Sequence, residues 1–458
     1  MKTNIIKIFL FVVLSLNLYA TDEQEIQELK DQVKVILMRI DAIEKRAKLE
    51  AENKVDKVIV KNVKVLEEDE SKPKIAQYIT DDAAGKNPPV KQKGTIELTT
   101  ADTVLSIGGR IQMDTTYAWP ESSHSASAIP IGSTPGENGQ LTFKSKESRL
   151  WVKTRTPSDY GPIRTLIETD FVGSAGTETN TNSNGLRIRH AYVQAGNWTL
   201  GQTNSAFNTF ATLDILHSAI NDVFVRQPLI RYSREKGEYG YDISLEQPET
   251  TLLDPDGNII TPKDDVAPDM VARIRYYPSW GELGVSLMGR YINQDRAELS
   301  DGTTLNNRDS ALGWATNVSG KVKVRGSDDI RFAAHYGEGL GRYIAYNAYA
   351  AGSVDANGNI KLQPTYGGHV GYRHWWNDKL RSTISISYVA TENNMEVITS
   401  AASRALTNKD AYSSAVNLFW TPVPNSLIGF EYVKAQRTVE SNEKGDLDSA
   451  MMRFRYDF

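Results

Sequence analysis

The chain has no cysteine in 458 residues. That removes disulfides, zinc–thiolate sites and thiol nucleophiles together. Beyond the first twenty residues there is no apolar run long enough for a membrane-spanning helix. If the mature chain crosses a membrane, it must do so as a closed barrel, because lipid offers no other partner for backbone polar groups. Basic surplus is also missing. The formal net charge is −5, which gives no reason to expect nucleic acid as a partner. There is no G-x-S-x-G, and His190, His335, His369 and His374 show no ligand spacing with acids. No catalytic residue, metal or cofactor is therefore expected. The segment DPDGN (254–258) lacks the glycine position and closing glutamate of a calcium loop and reads as a turn. GEGLG (337–341) follows a strand but precedes no helix, so it does not read as a phosphate cradle.

What is present begins with MKTNIIKIFLFVVLSLNLYA. Lys2 and Lys7 precede an apolar run from Ile8 to Leu18 and then Tyr19-Ala20, the layout of a secretory signal peptide over 1–20. Residues 22–50 contain neither Gly nor Pro. Ile26, Val33, Ile40 and Ala47 occupy one heptad core position, and Leu29, Ile36 and Ile43 the other. This predicts a coiled-coil oligomerisation segment over 21–65, with β-branched cores that favour trimers or tetramers over dimers. The charged, proline-bearing stretch 66–94 reads as a linker.

From Thr95 to Phe458 the period is two. SRLWVKT, MVARIRYY, LGVSLMGRY and LRSTISISY each alternate an apolar with a polar face. Short turns at 156–162, 196–197, 234–238, 278–281, 325–329, 377–378 and 421–424 alternate with longer segments at 118–140, 172–184, 204–224, 247–268, 294–310, 339–360, 393–405 and 438–446. That rhythm predicts about sixteen strands. Aromatics near strand ends, among them Tyr276, Tyr277, Trp314, Tyr336, Trp375, Trp376, Tyr388 and Trp420, fit girdles at two membrane interfaces. The last eight residues, MMRFRYDF, put Met452, Phe454, Tyr456 and Phe458 opposite Arg453, Arg455 and Asp457. The fold class read from this pattern is all-β: a transmembrane antiparallel β-barrel behind an N-terminal helical segment, wide enough for a wet lumen.

With apolar faces turned to lipid, the inward side chains include Arg149, Lys153, Arg155, Arg187, Arg189, Arg231, Arg273, Arg275, Arg290, Lys321, Lys323, Arg331, Arg373, Arg381, Arg453 and Arg455. Inward acids are fewer on this reading: Glu168, Asp170, Asp457 and, with less support from the pattern, Glu431. A basic lumen favours anions, and the guanidinium fork suits carboxylate or phosphate. The aromatic, charge-poor segment NSAFNTFATLDILHSAINDVF (204–224) is expected to fold into the lumen as a constriction loop. Phe207 belongs to it, with Asp214 and Asp222 facing the basic wall.

The stretches SRLWVKTRTPSDYGPIRTLIETDFVGS, GLRIRHAYVQAGNWTLGQTNSAF and FVRQPLIRYS resemble the DcaP-like family of outer-membrane porins, most densely across 105–235. The resemblance implies trimeric sixteen-stranded channels in the bacterial outer membrane, with a periplasmic N-terminal coiled coil and uptake of dicarboxylates. It also implies that the terminal Phe458 is read by the barrel-assembly machinery. It adds Arg226 to Arg187, Arg189 and Arg231 as site candidates, although parity groups Arg226 with Pro228 and Ile230 unless a bulge precedes Gln227. The leading expectation is a passive channel for small organic anions in outer-membrane lipid, with copies of itself as partners. The alternative is a structural tether whose coiled coil holds the outer membrane to peptidoglycan.

Overall fold

The computed structural model describes residues 96–99, 102–120, 126–133, 139–174, 177, 181–262 and 265–458. The expected signal peptide, coiled coil and linker lie outside the described residues. The first strand, β1, is Val104–Trp119. β2 comes in two pieces, Gln140–Lys144 and Arg149–Thr156. Next are β3 (Ile163–Asp170), β4 (Arg187–Ala195), β5 (Trp198–Asn204), β6 (Arg226–Lys236) and β7 (Tyr239–Glu246). β8 (Asp269–Tyr276), β9 (Gly281–Asp295), β10 (Arg308–Lys323), β11 (Asp329–Glu338) and β12 (Pro364–Asn377) follow. The wall ends with β13 (Leu380–Thr391), β14 (Asn408–Trp420), β15 (Ser426–Val439) and β16 (Lys444–Asp457).

Each strand pairs antiparallel with its neighbours in sequence, and β16 returns to β1 to give a closed sixteen-strand barrel. A short strand, Ile96–Thr99, pairs with the start of β1 where β16 has run out. At the seam, Arg110 to Trp119 stand opposite Asp457 to Asp448. One further pair of bonds extends the seam: Phe458 and Gly109 exchange both backbone hydrogen bonds at 2.9 Å. This is what a terminal phenylalanine does here. Its amide and carbonyl finish the ladder that lipid would otherwise leave open, and its ring lies over Gly109.

The faces follow from the alternation. On β7, Tyr239, Tyr241, Ile243 and Leu245 are exposed, whereas Gly240, Asp242, Ser244 and Glu246 are buried. β13 repeats this with Ile384, Ile386 and Tyr388 outside and Thr383, Ser385 and Ser387 inside. Apolar side chains thus clothe the outer wall and polar ones the inner, the reverse of a soluble barrel. Trp314, Tyr336, Trp376, Tyr388 and Trp420 stand on the outer face. Trp375 does not join them. A register irregularity between Trp375 and Asn377 marks the end of β12. Trp375 turns inward, with the guanidinium carbons of Arg373 and Arg381 5.4 and 5.3 Å from its ring.

One expected long loop is a tight turn. β15 continues to Val439 and β16 begins at Lys444, with Asn442 left-handed at the corner (φ 66°). The polar residues of 438–446 belong to the ends of these two strands and the short turn between them. The longer connections on the same side form a cap. Leu252–Leu253, Ile259–Ile260, Gly352–Val354 and Ile360–Leu362 build a small four-stranded sheet joining the β7–β8 and β11–β12 connections. Its two hairpins turn on like sequences, DPDGN and DANGN. Asp254 accepts from the amides of Asp256 and Asn258, as Asp355 does from Asn357 and Asn359. Gly257 and Gly358 are both left-handed at 86°. DPDGN is therefore the turn its sequence indicated.

A Cβ at Gly109 would lie 2.4 Å from the Phe458 ring. Gly109→Leu is expected to displace that ring and weaken the seam by about 1–3 kcal/mol. The readout is a lower temperature at which the folded, detergent-resistant barrel opens on a heat-modifiability gel.

Candidate functional site: an arginine-lined lumen with infolded loops

Most arginines of the inner wall stand in carboxylate-bearing groups. On β3 and β4, Arg187 grips Asp170 through Nε and Nη2 at 3.0 and 2.7 Å. Arg189 bonds Glu168 at 2.7 Å and Asp170 at 2.9 Å, and Arg149 reaches Glu168 at 3.2 Å. A bulge makes this possible. Glu168 faces His190 while Thr169 faces Ile188, so Arg189 is an extra residue, and both Arg189 and His190 are buried. Simple alternation would have sent one of them to lipid.

Further round the wall, Asp242 on β7 sits between Arg273 (2.9 Å) and Arg275 (3.1 Å) of β8. Arg290 bonds Asp269 at 3.1 Å and donates to the carbonyls of Gly339 (2.7 Å), Leu340 (3.1 Å) and Glu249 (2.8 Å). Arg331 bonds Asp329 at 2.9 Å, and Asp329 also accepts from Arg373. At the seam, Arg453 makes a two-bond clamp on Asp114 (2.6 and 2.8 Å). Asp457 accepts from Arg110 at 2.6 Å and lies 3.2 Å from Arg455. The inner face therefore holds more acids than the sequence suggested: Asp114, Asp242, Asp269 and Asp329 were not counted. Two of them, Asp269 and Asp329, open their strands, where a polar residue is indistinguishable from loop. Removing one partner from a fully buried pair of this kind costs about 3–5 kcal/mol.

Arg231 faces inward and donates to the Asn204 carbonyl at 3.2 Å. Lys153 lies 5.7 Å from the Trp151 ring. Arg226 differs from the expectation that grouped it with Arg231. No bulge separates it from Gln227, so it keeps the parity of Pro228 and Ile230. Its guanidinium covers the Phe224 ring at 5.0 Å, at the root of the β5–β6 loop.

That loop, 205–225, runs inside the barrel. Its backbone is held by inward side chains of successive strands. Ser286 donates to the Ala206 carbonyl, Asn317 to that of Phe207, and Ser319 accepts from the Phe210 amide. Arg331 donates to the Thr212 carbonyl at 2.7 Å and Asn417 to that of Asp214 at 2.9 Å. Glu431 accepts the amides of Leu216 and His217, both at 2.8 Å, and the His217 ring. The Asp214 carboxylate lies between Arg381 (2.6 Å) and Arg373 (3.2 Å). Arg381 and Arg373 hold Asp214 well below the usual carboxylate range, against the opposing effect of burial.

Two members of the loop depart from expectation. Phe207 is fully buried and packs edge-on against Tyr343 at 5.8 Å, so it fills a core rather than lining a passage. Asp222 does not meet a basic wall. It accepts from the Tyr346 hydroxyl at 3.3 Å, and burial pushes its carboxyl up to about 6. Tyr346 belongs to a second infolded segment, within the 339–360 connection whose length alone suggests an ordinary outer loop. Leu340, Tyr343, Ile344 and Tyr349 are buried in one cluster with Phe207, Ile220 and Val223. The Tyr343 hydroxyl donates to Asp269 at 3.0 Å. The run RYIAYNAYAAG has the same low charge and aromatic content that flagged the first loop.

A closed sixteen-strand barrel, apolar outside, charged inside and entered by its own loops, is an outer-membrane channel of the porin class. The chain belongs to the porin subfamily, whose sequence profile matches residues 99–452. It is 27% identical over 204 residues to porin Omp2b of Brucella suis, across 40% of this chain and 49% of that protein. The chain thus spans about half the length of that curated relative. The outer membrane channel DcaP of Acinetobacter baumannii shares the fold, with a TM-score of 0.65 and 22% identity over 79% of this chain and 99% of that one. In vitro folded OmpT of Vibrio cholerae superposes at 0.50, with 12% identity over 79% of this chain and 99% of that one. The resemblance to DcaP-like porins, a channel role and a place in the bacterial outer membrane accord with these findings.

Asp214→Asn removes a negative charge from between two wall arginines and is expected to raise the preference for anions, read as a shift in reversal potential across a salt gradient. The Asp222 carboxyl favours its neutral form in the fold. Its contribution is full below the ordinary value of 3.8 and is lost as pH rises through about 6. Open-channel current noise is therefore expected to grow between those values, and Asp222→Asn to abolish that dependence.

Proposed function

We propose that the protein is a trimeric passive channel for small organic anions, carboxylates in particular. The observation that supports this best is the charge on one sector of the inner wall. Across β16, β1, β2 and β3 the inward face bears Arg455, Arg453, Arg110, Arg149, Lys153, Arg155 and Arg164 against Asp457, Asp114, Glu168 and Asp170. Cations in surplus between low-dielectric walls draw anions into a wet lumen. The same wall binds carboxylates within the protein: the clamps on Asp114, Asp170 and Asp214 show how its guanidinium groups receive a planar oxyanion. On this reading the lining cations Arg149, Lys153, Arg187, Arg189, Arg231, Arg273, Arg275, Arg290, Arg331, Arg453 and Arg455 set the field, and the loop held at Asp214 narrows the path. Phe458 serves the barrel-assembly machinery during insertion. The N-terminal segment stands in the periplasm, where its heptads hold three copies together.

Planar-bilayer recording of the mature protein tests the proposal. Conductance rising in steps of three, and a reversal potential that favours chloride over potassium and falls toward neutrality as salt rises, are expected. A cation-favouring reversal potential would refute the anion reading. Unit steps without a threefold pattern would refute the trimer.

A further inference from the structure

The register of β2 and β3 sets Arg155 directly opposite Arg164. Both belong to the inner face, Arg155 with the parity of Trp151 and Arg164 with that of Glu168 and Asp170. Arg155 is exposed and Arg164 half-buried, so both guanidinium groups open onto lumen water. Directly opposed residues have Cβ atoms roughly 5 Å apart, and like charges in that relation repel. The wall contains a second such pair, Arg110 opposite Arg149 on β1 and β2. There each arginine has a carboxylate, Asp457 at 2.6 Å and Glu168 at 3.2 Å. The guanidinium groups of Arg155 and Arg164 have neither an ion pair nor a hydrogen-bond partner among the described residues. Their cross-strand neighbours supply no acid either: Val104 faces Arg155 and Gln194 faces Arg164. The pair stands beside the 157–162 turn, at the end of the wall that carries the short turns, which in such barrels is the periplasmic end.

We propose that Arg155 and Arg164 form an oxyanion-binding site at the periplasmic exit of the pore, receiving the carboxylate or phosphate group of a passing solute between two guanidinium forks. The site rests on the anion-channel reading and adds a location to it. The bound anion supplies the missing counter-charge to a repelling pair, and two forks can bond an oxyanion from two sides. Because the pair is exposed to water, the solute is held weakly enough to leave, as conduction requires.

The test uses the mature full-length channel in planar bilayers, with succinate or inorganic phosphate added to one side at a time and block of the chloride current recorded. Stronger block from the periplasmic side is expected. The double variant Arg155→Gln/Arg164→Gln is expected to weaken that block about tenfold while keeping the high-salt conductance. Arg155→Lys/Arg164→Lys is expected to keep the ion preference and lose part of the block, because the charge stays and the fork goes. If the double glutamine variant does not fold, Arg155→Gln alone carries the test, since that side chain is exposed. Relief for succinate alone assigns the site to carboxylates, relief for phosphate alone to phosphates, and relief for both to the shared group. Unchanged block in a channel that still prefers anions overturns the site and leaves the channel reading intact. A wild-type channel that prefers cations overturns both.

Discussion

A backbone amide inside a bilayer has only another backbone group to bond, and each one left open costs several kcal/mol. The ladder that returns from β16 to β1 is the condition on which everything else in the barrel depends. It fixes the register of Arg110 to Trp119 against Asp457 to Asp448 and so decides which side chains meet across the seam. The clamp of Arg453 on Asp114 and the sharing of Asp457 by Arg110 and Arg455 exist only because that register holds. The exchange of bonds between Phe458 and Gly109 carries the closure to the last residue of the chain.

Closure also creates the lumen problem that the loops solve. Sixteen strands enclose more space than their inward side chains fill. Several inward positions on the later strands are small, including Ala315, Ser319, Ala333, Ser385, Ser387, Ala411, Ser413 and Ala415. The β5–β6 loop lies along these strands and buries Phe207, Phe210 and Ile220 on them, and the β11–β12 segment packs over it through Leu340, Tyr343 and Ile344. Both segments keep their backbone groups bonded to serine, asparagine, arginine and glutamate side chains of the wall. This is how irregular backbone survives at membrane depth.

Much of this was legible in the sequence, and the limits have physical causes. Period two with aromatic borders is a property of each strand alone, so strand number and faces could be read from MVARIRYY or MMRFRYDF directly. The apolar character of 204–224 likewise signalled a loop avoiding bulk water. Cross-strand relations are another matter. The bulge that turns both Arg189 and His190 inward, and the acids Asp242, Asp269 and Asp329 that meet their arginines, depend on register, which no single strand records. Charge alone points Asp222 to the basic wall, whereas the chain delivers it to Tyr346 of a distant loop. Phe207 is expected to line the constriction, whereas the fold buries it, because period and composition do not say which side of an irregular segment packs.

The hydrogen bonds and ion pairs of the infolded loop run mostly to β7 to β15, while β1 to β3 bear Arg110, Arg149, Lys153, Arg155 and Arg164 on their inner face. On the proposed anion-channel reading, the aqueous path runs off-centre, along the β1–β4 side. On that reading a solute has arginine on one flank and the infolded loop on the other, so the electric field has a component across the pore as well as along it. A molecule with its charge at one end and its apolar part at the other would be turned as it passes, its charged end to the β1–β4 side. Under the proposed function, selection acts on the shape of a solute's dipole, not only on its net charge, and separates isomers of equal size and valence.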